Sequence, residues 1–446
     1  MNIVAFKNKL FENALKSGFE DCEIFYTDMD SFRVNVYKGE IEKYQNKSSS
    51  GFGFRGICNG RMGYYYSELV DDSVIDSVIK NAKENSEILT SDQQEIIFEG
   101  SECYPDVILY DEDIANLTVE DKIEMALLME KTAYDYSDKI TAVSTAMIST
   151  GEGEVYIANT KGLELSSKSN YIMGYTEVIA KQDSSIKEKG ELYIGTLSNF
   201  DPVETAKKAC KKAVSALCGS SVKSGKYKAV IYNDAFADIL GCFVGNFYAE
   251  NAQKGFSLLK NKTGEKIANS IVTIVDDPLL KNGVMTTAFD SEGVAAYRKN
   301  VVENGVLKTL LYNLKSANAD GVKSTGNGFK ASFKSQVKTS HTNFYILKGS
   351  NTFDELVSEV KDGILITEVT GLHAGANAIS GDFSLAAEGF VIKNGKIDRP
   401  VEQITAAGNL YNILKSIENI GDDLFINSNG IGSPSVVVEI DIAGEN

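Results

Sequence analysis

Residues 51–67 read GFGFRGICNGRMGYYYS, and the fold class turns on what their glycines are for. Gly51, Gly53 and Gly56 match G-x-G-x-x-G, the spacing that cradles a pyrophosphate in a dinucleotide-binding fold. That reading needs a strand before the first glycine and a helix opening at the third. Here Asn59-Gly60, a pair suited to a type I′ hairpin turn, follows instead, and RMGYYYS then continues as a strand. Glycine within a sheet marks a bulge or a close approach of another element more often than a cofactor. The stretch is read as one hairpin of an antiparallel sheet.

The surrounding sequence extends that sheet. CEIFY and FRVNVY, with Phe32, Val34 and Val36 on one face, alternate with period two, and KYQNK continues the meander. Ile3, Phe6, Leu10 and Ala14 recur at helical spacing before it. After it, Asp71 or Asp72 caps a helix with Ile75, Val78, Ile79 and Ala82 on its buried face. From Glu84 to Asp121 there are 12 acidic residues and no Lys or Arg, which reads as a solvated connector. Thr118 to Asp121 then forms a capping box that opens a second unit. Four strand-like runs follow (TAVSTAMIST, EVYIANT, NYIMGYTEVIA, ELYIGTL), and Asp201-Pro202 starts another helix. GSSVKSGKY at 219–227 reads as a boundary, and beyond it a β-rich region carries Asn-Gly turns at Asn304-Gly305 and Asn394-Gly395. The reading is α+β: two N-terminal helix-plus-antiparallel-strand subdomains, 1–95 and 112–220, and a large β-rich C-terminal domain, 225–446.

Composition narrows the function. A net charge of −17 and the lack of any Lys/Arg cluster argue against a nucleic-acid surface. No apolar run of about 18 residues exists to span a membrane, and six scattered cysteines form neither C-x-x-C nor a disulfide framework. A cytoplasmic protein is expected. The only two histidines are His341 and His373, 32 residues apart and neither in H-E-x-x-H. In GLHAGANAISGDFSL, His373 stands near Ser380, Ser384 and Asp382, the residue types of a hydrolytic triad. The preferred reading is a backbone device: glycines take positive φ while Asn377, Ser380 and Asp382 bond nearby amides and fix an irregular loop. Such a loop can still line a binding cleft.

Residues 371–410 resemble the C-terminal signature of the TldD/PmbA family, once described as modulators of DNA gyrase. The matching segments are Ser380-Gly381-Asp382-Phe383, Glu388-Gly389-Phe390, Asn394-Gly395-Lys396, Pro400-Val401 and Ala407-Gly408-Asn409. GFGFRGICNGRMGYYYS and KGFSLLKNKTGEKIANSIVTIVDDP agree as well, so the resemblance spans nearly the whole chain. It implies two kinds of subunit. The TldD kind carries an H-E-x-x-x-H zinc helix and a late cysteine ligand; the TldE, or PmbA, kind lacks both. In ILGCFVGNFYAENAQKGFS the two zinc histidines fall on Gly241 and about Asn246, the general-base glutamate on Cys242, and the late thiolate on Ser433. Glycine offers no ligand, neutral asparagine is a poor one, and a thiol cannot replace the glutamate's proton transfer. The resemblance thus implies a metal-free TldE-like chain with no catalytic residue of its own. Zinc is expected only in a TldD-type partner, in a heterodimer or larger complex that cleaves unfolded peptides. His373, Asn377, Ser380 and Asp382 are the peptide- or partner-facing candidates. The alternative is a stand-alone homodimeric peptide-binding protein. Neither reading calls for a nucleic acid or membrane partner, and the acidic charge gives no reason for a DNA contact.

Overall fold

The computed structural model describes residues 2–88 and 95–445, so part of the acidic connector, residues 89–94, lies outside the described residues. The N-terminal elements are α1 (Ile3–Lys16), β1 (Asp21–Tyr37), β2 (Glu40–Cys58), β3 (Arg61–Ser67) and α2 (Ile75–Ile88). A single-turn helix α3 (Glu112–Ala115) precedes α4 (Val119–Tyr136), β4 (Ile140–Asn159), β5 (Glu164–Gln182), β6 (Ser185–Gly195) and α5 (Pro202–Ser215). The caps fall where the sequence places them: Asp71 accepts from Ser73, Thr118 and Asp121 form the capping box, and Asp201 stands before Pro202.

The strands of both units join in one antiparallel sheet, ordered β3-β2-β1-β4-β5-β6. They are longer and fewer than the sequence reading has them. CEIFY and FRVNVY are the two ends of β1, KYQNK and GFGFRGI lie in β2, and TAVSTAMIST and EVYIANT are one 20-residue strand, β4. The Gly-Glu-Gly-Glu centre of β4 looks like a break but is not one. Tyr171 lies opposite Gly151 and Met29 opposite Gly153, and each covers the space its glycine leaves open. Cross-strand shielding of this kind keeps a glycine in register.

Side-chain alternation gives the sheet two working faces. On one, Cys22, Ile24, Phe52 and Phe54 pack under α1 and α2 with Phe6, Leu10, Val78 and Ala82. Farther along the same strands, Phe32, Val34, Val36 and Ile148 pack under α4 and α5 with Met129, Ala133, Ala209 and Cys210. Two helix pairs therefore share β1 and β4. The opposite face meets the C-terminal domain at one end, where Phe25 and Ile157 pack with Leu163, Phe289 and Phe333. The free outer edge of β2 is conspicuous: β3 pairs only with Phe52–Cys58, and residues 40–49 are fully exposed.

The glycines of the G-x-G-x-x-G segment serve this docking. A Cβ on Gly53 would lie 2.3 Å from the Phe333 carbonyl oxygen, and one on Gly51 would meet the Phe333 ring at 2.5 Å. Beside them Arg55, fully buried, forks onto Glu23 (2.7 and 3.0 Å) and reaches Glu292 of the C-terminal domain at 3.4 Å.

That domain opens with β7 (Gly225–Ile231), which pairs in parallel with Gly363–Thr370 and antiparallel with Val436–Ala443. The strands Asp382–Lys393 and Lys396–Asn409 complete the ring, and the pairing of Lys396–Asn409 with Val436–Ala443 closes a barrel. Ala229, Ile231, Ile364 and Ile366 enter the large core, while Val230, Leu365 and Val437 between them pack on the helix Phe353–Val360. A smaller sheet runs beside the barrel, and the Asn-Gly turns at 59–60, 304–305 and 394–395 all take left-handed φ at both residues. No described helix is long and apolar enough to cross a membrane.

Two substitutions test the domain junction. Gly53→Ala forces a Cβ into backbone and is expected to lose about 1–3 kcal/mol of stability in urea titration, whereas Gly225→Ala, with only ordinary contact nearby, stays within about 0.5. Arg55→Met strands two buried carboxylates and is expected to lose about 3–5 kcal/mol by the same measurement.

Candidate functional site

The helix α6 (Asn233–Phe243) follows β7 directly and buries Phe236, Ile239, Leu240 and Phe243 in the barrel core. Its polar stripe is Asp234, Asp238 and Cys242, spaced one turn apart on one face. Two loops flank that stripe. The Cys242 thiol points at the Leu372 carbonyl at 3.9 Å, and Asn427 donates to Asp238 at 3.4 Å. Gly241 looks toward Ile431, which a Cβ there would meet at an easy 3.8 Å. α6 thus lies between the His373 loop and the segment ending in Ser433, the two places where the sequence reading looks for chemistry.

α6 does not continue through ILGCFVGNFYAENAQKGFS, the segment that the resemblance aligns with the zinc helix. It ends at Phe243, Val244–Phe247 form a 3₁₀ turn, Tyr248 is extended, and a new short helix begins at Ala249. The side chain of Asn251 donates to the Gly245 carbonyl at 2.8 Å, which occupies an acceptor that a continuing helix would use. Gly241 and Cys242 therefore sit on one element and Asn246 on another.

This constellation does not fit zinc. Asn246 is 2% exposed with an amide nitrogen that finds no partner among the described residues, and an NH₂ group donates rather than ligates. Burial, aided by the Asp238 carboxylate, pushes the Cys242 thiol up, away from the thiolate a metal needs. Ser433 is fully buried and donates to the Pro434 carbonyl at 2.7 Å. Among the described residues no three His, Cys, Asp or Glu side chains gather in a way that could hold a metal ion.

The loop that carries His373 is a backbone construction. Gly371 and Gly381 take φ of +80° and +83°, and Asn377 accepts from the amides of Ile379 and Ser380 at 3.0 and 3.2 Å. Ser380 accepts from the Asp382 amide, and Asn409 donates to both the Ser380 carbonyl and the Asp382 carboxylate. These bonds to Asn409 and Ser380 hold Asp382 below its ordinary carboxylate range. His373 is exposed in the short helix Leu372–Gly375, and among the described residues its ring makes no hydrogen bond. His341 is held separately, between the Tyr248 hydroxyl at 2.6 Å and the Asn429 carbonyl at 2.9 Å, and burial lowers its basicity.

Sequence profiles for domain 1, the central domain and the C-terminal domain of the PmbA/TldA metallopeptidases match residues 22–86, 112–217 and 224–444. The chain belongs to the PmbA/TldD metallopeptidase family. A crystal structure from Thermotoga maritima, described as a candidate modulator of a DNA gyrase, is similar at a TM-score of 0.91 and 32% identity, covering 98% of this chain and 99% of that one. The metalloprotease PmbA of Escherichia coli O157:H7 is 24% identical over 455 residues, 98% of this chain and 97% of its own. TldE from Thermococcus kodakarensis has the same fold, with a TM-score of 0.90 at 21% identity, covering 98% of this chain and all of that one.

Within this PmbA/TldD-type chain the signature residues acquire physical roles. Glu388 receives Lys187 at 2.6 Å and Lys189 at 2.7 Å, both from β6, and those lysines also reach Glu402 and Glu368 at 2.5 Å. The E-G-F segment thus ties the barrel to the N-terminal sheet. Gly389 lies against the neighbouring strand, where a Cβ would fall 1.8 Å from the Leu365 oxygen. Asn409 caps the helix Leu410–Ser416 while pinning the loop. Sequence reasoning singled out neither Asp238 nor Lys187 and Lys189. Asp238 has i, i+4 spacing to Cys242 as its one signal, and the lysines alternate in IKEKG.

Asp238 supplies a pH test. Burial, then the Asp234 carboxylate, raises it to about 6 from an ordinary 3.8. A carboxyl raised on folding contributes stability below about pH 4 that is lost as pH climbs through 6. Asp238→Asn is expected to remove about 1–2 kcal/mol of that pH 4-to-6 decline, after allowance for solvent screening, in urea midpoints measured across the range.

Proposed function

We propose that this chain is the metal-free, TldE-like subunit of a cytoplasmic two-chain zinc peptidase that processes unfolded or short peptides. The observation that carries the reading is the α6 region. A glycine, a protonated thiol and a buried amide stand at the positions where the resemblance places two histidines and a glutamate, and the helix breaks between them. The hydrolysis is the partner's. This chain contributes a wall of the chamber and the contact that closes it.

Three features support that division of labour. The bare edge of β2 offers unpaired backbone groups to an extended chain. The His373 loop is rigid without being reactive, with Ile379 exposed and Gly381 packed on Tyr411. Phe256 and Leu258 are also more than half exposed, and Ser257 between them lies beside the hydroxyl of the same Tyr411. Apolar residues held out by a fixed scaffold are what a partner surface needs.

Co-expression with an H-E-x-x-x-H chain of the same family tests the proposal. The expected result is a stable complex that carries zinc and cleaves an unstructured peptide, while this chain alone binds less than about a tenth of an equivalent of zinc and cleaves nothing. A lone symmetric dimer that binds peptide and ignores the H-E-x-x-x-H chain would instead establish the stand-alone peptide-binding reading. His373→Ala is expected to leave the activity of the complex within twofold, and a complete loss would return chemistry to that loop.

A further inference from the structure

A second place in the molecule has the makings of a ligand site, and it shares no residue with α6 or the His373 loop. A cavity of about 380 Å³ lies between β2, β3, the end of α2 and the segment 330–336. Tyr64, Tyr65 and Tyr66 of β3 form one wall and Phe333 another. Tyr65 and Tyr66 stack at 6.0 Å, and Phe333 meets Tyr66 edge-on at 6.3 Å. Phe333 is 4% exposed and fixed by the close approach at Gly51 and Gly53, so this wall is preformed.

Lys330 lines the same cavity and is the unusual member. Its amide is tied to Ser291, but among the described residues its ammonium forms no hydrogen bond and no ion pair. The nearest recorded partner is the face of Phe25, 4.6 Å from ring centroid to nitrogen. Glu23 and Glu292, the carboxylates close enough to act on it, are both engaged by Arg55. Desolvation, opposed by those carboxylates and reinforced by the Arg55 charge, brings Lys330 down to about 8. Half-buried beside the aromatic wall, an ammonium with three donors unengaged by the described residues offers an anion a charge-assisted partner. Lys334 stands beside it, half-exposed, near the Tyr66 and Phe333 rings and paired with Glu68.

We propose that this cavity binds a small organic carboxylate with a flat aromatic body, its charge on Lys330 and its ring against Tyr65, Tyr66 and Phe333. One idle ammonium matches a monoanion, and the lining carries no arginine fork for a phosphate. The mostly aromatic wall matches a ring, with a few polar groups for orientation, the usual division in ligand pockets. Two sources present this chemistry: a free aromatic acid, or the C-terminal residue of a peptide.

The chain contains no tryptophan, so an indole probe excited to the red of tyrosine absorption can be followed by its own fluorescence. N-acetyl-tryptophan, its amide, and a pentapeptide ending in tryptophan with a free or amidated terminus are titrated into the full chain. The free carboxylates are expected to bind at least tenfold tighter than the amides, with affinity falling above about pH 8 as Lys330 loses its proton. Tighter binding of the peptide acid names a chain terminus as the ligand, and equal or tighter binding of N-acetyl-tryptophan names a free acid. Lys330→Met is expected to abolish the preference for the acid without lowering the thermal midpoint, since it removes a desolvated charge and keeps the stem. Lys334→Met is expected to weaken the acid only a few-fold. Equal affinity for acid and amide, no binding of the acid at millimolar concentration, or a preference that survives in Lys330→Met would overturn the proposal.

Discussion

A guanidinium sealed between two carboxylates joins the halves of this protein. Arg55 and Glu23 are cross-strand neighbours on β2 and β1, and their fork would be no more than a sheet ornament without Glu292. Glu292 in turn accepts the Leu314 amide and closes against Gly328, so the pair reaches through it into the backbone of the C-terminal domain. Desolvating three charges is unfavourable unless each is matched. That requirement fixes the register of β1 on β2 and the seat of the sheet on the domain at once. Phe25, Ile157 and Phe333 then supply the apolar contact around it, and Glu388 with Lys187 and Lys189 makes a second tie farther along.

α6 lies in the domain that this junction anchors. It is held by the barrel core on one side and by two loops on the other, and Lys212 of α5 meets Asp234 at its start. A Cβ at Gly241 would meet only Ile431, at ordinary contact distance. The break after Phe243 puts Gly241 and Cys242 on one element and Asn246 on another.

Much of this was legible in the sequence because local chemistry decides it. Capping boxes, Asn-Gly turns and the alternation of Phe32, Val34 and Val36 read directly as structure. The extent of the strands was not legible. Gly151 and Gly153 look like breakers until Tyr171 and Met29, far off in sequence, are seen to cover them. The fused sheet was hidden for the same reason: β1 and β4 pair across more than a hundred residues, and periodicity carries no information about partners. At the site, the motif residues were found but their roles were not, since Glu388 matters through lysines two hundred positions away. The break in the α6 region depends on a side-chain bond from Asn251 that no spacing rule encodes.

The barrel that carries α6 is closed by its own ends. β7 begins at residue 225, and one of its two partners is Val436–Ala443, the last of the described strands. On the ribosome Val436–Ala443 follows more than two hundred residues behind the N-terminal sheet, which has all six of its strands by residue 195. The sheet is therefore the first unit able to fold, and it waits with Phe25, Ile157 and the Glu23–Arg55 pair uncovered while the C-terminal domain is still being made. At roughly 5–20 residues per second that interval is of the order of ten seconds or more, long enough for a chaperone to hold the exposed face. The junction that stabilises the finished protein is its most vulnerable surface during birth.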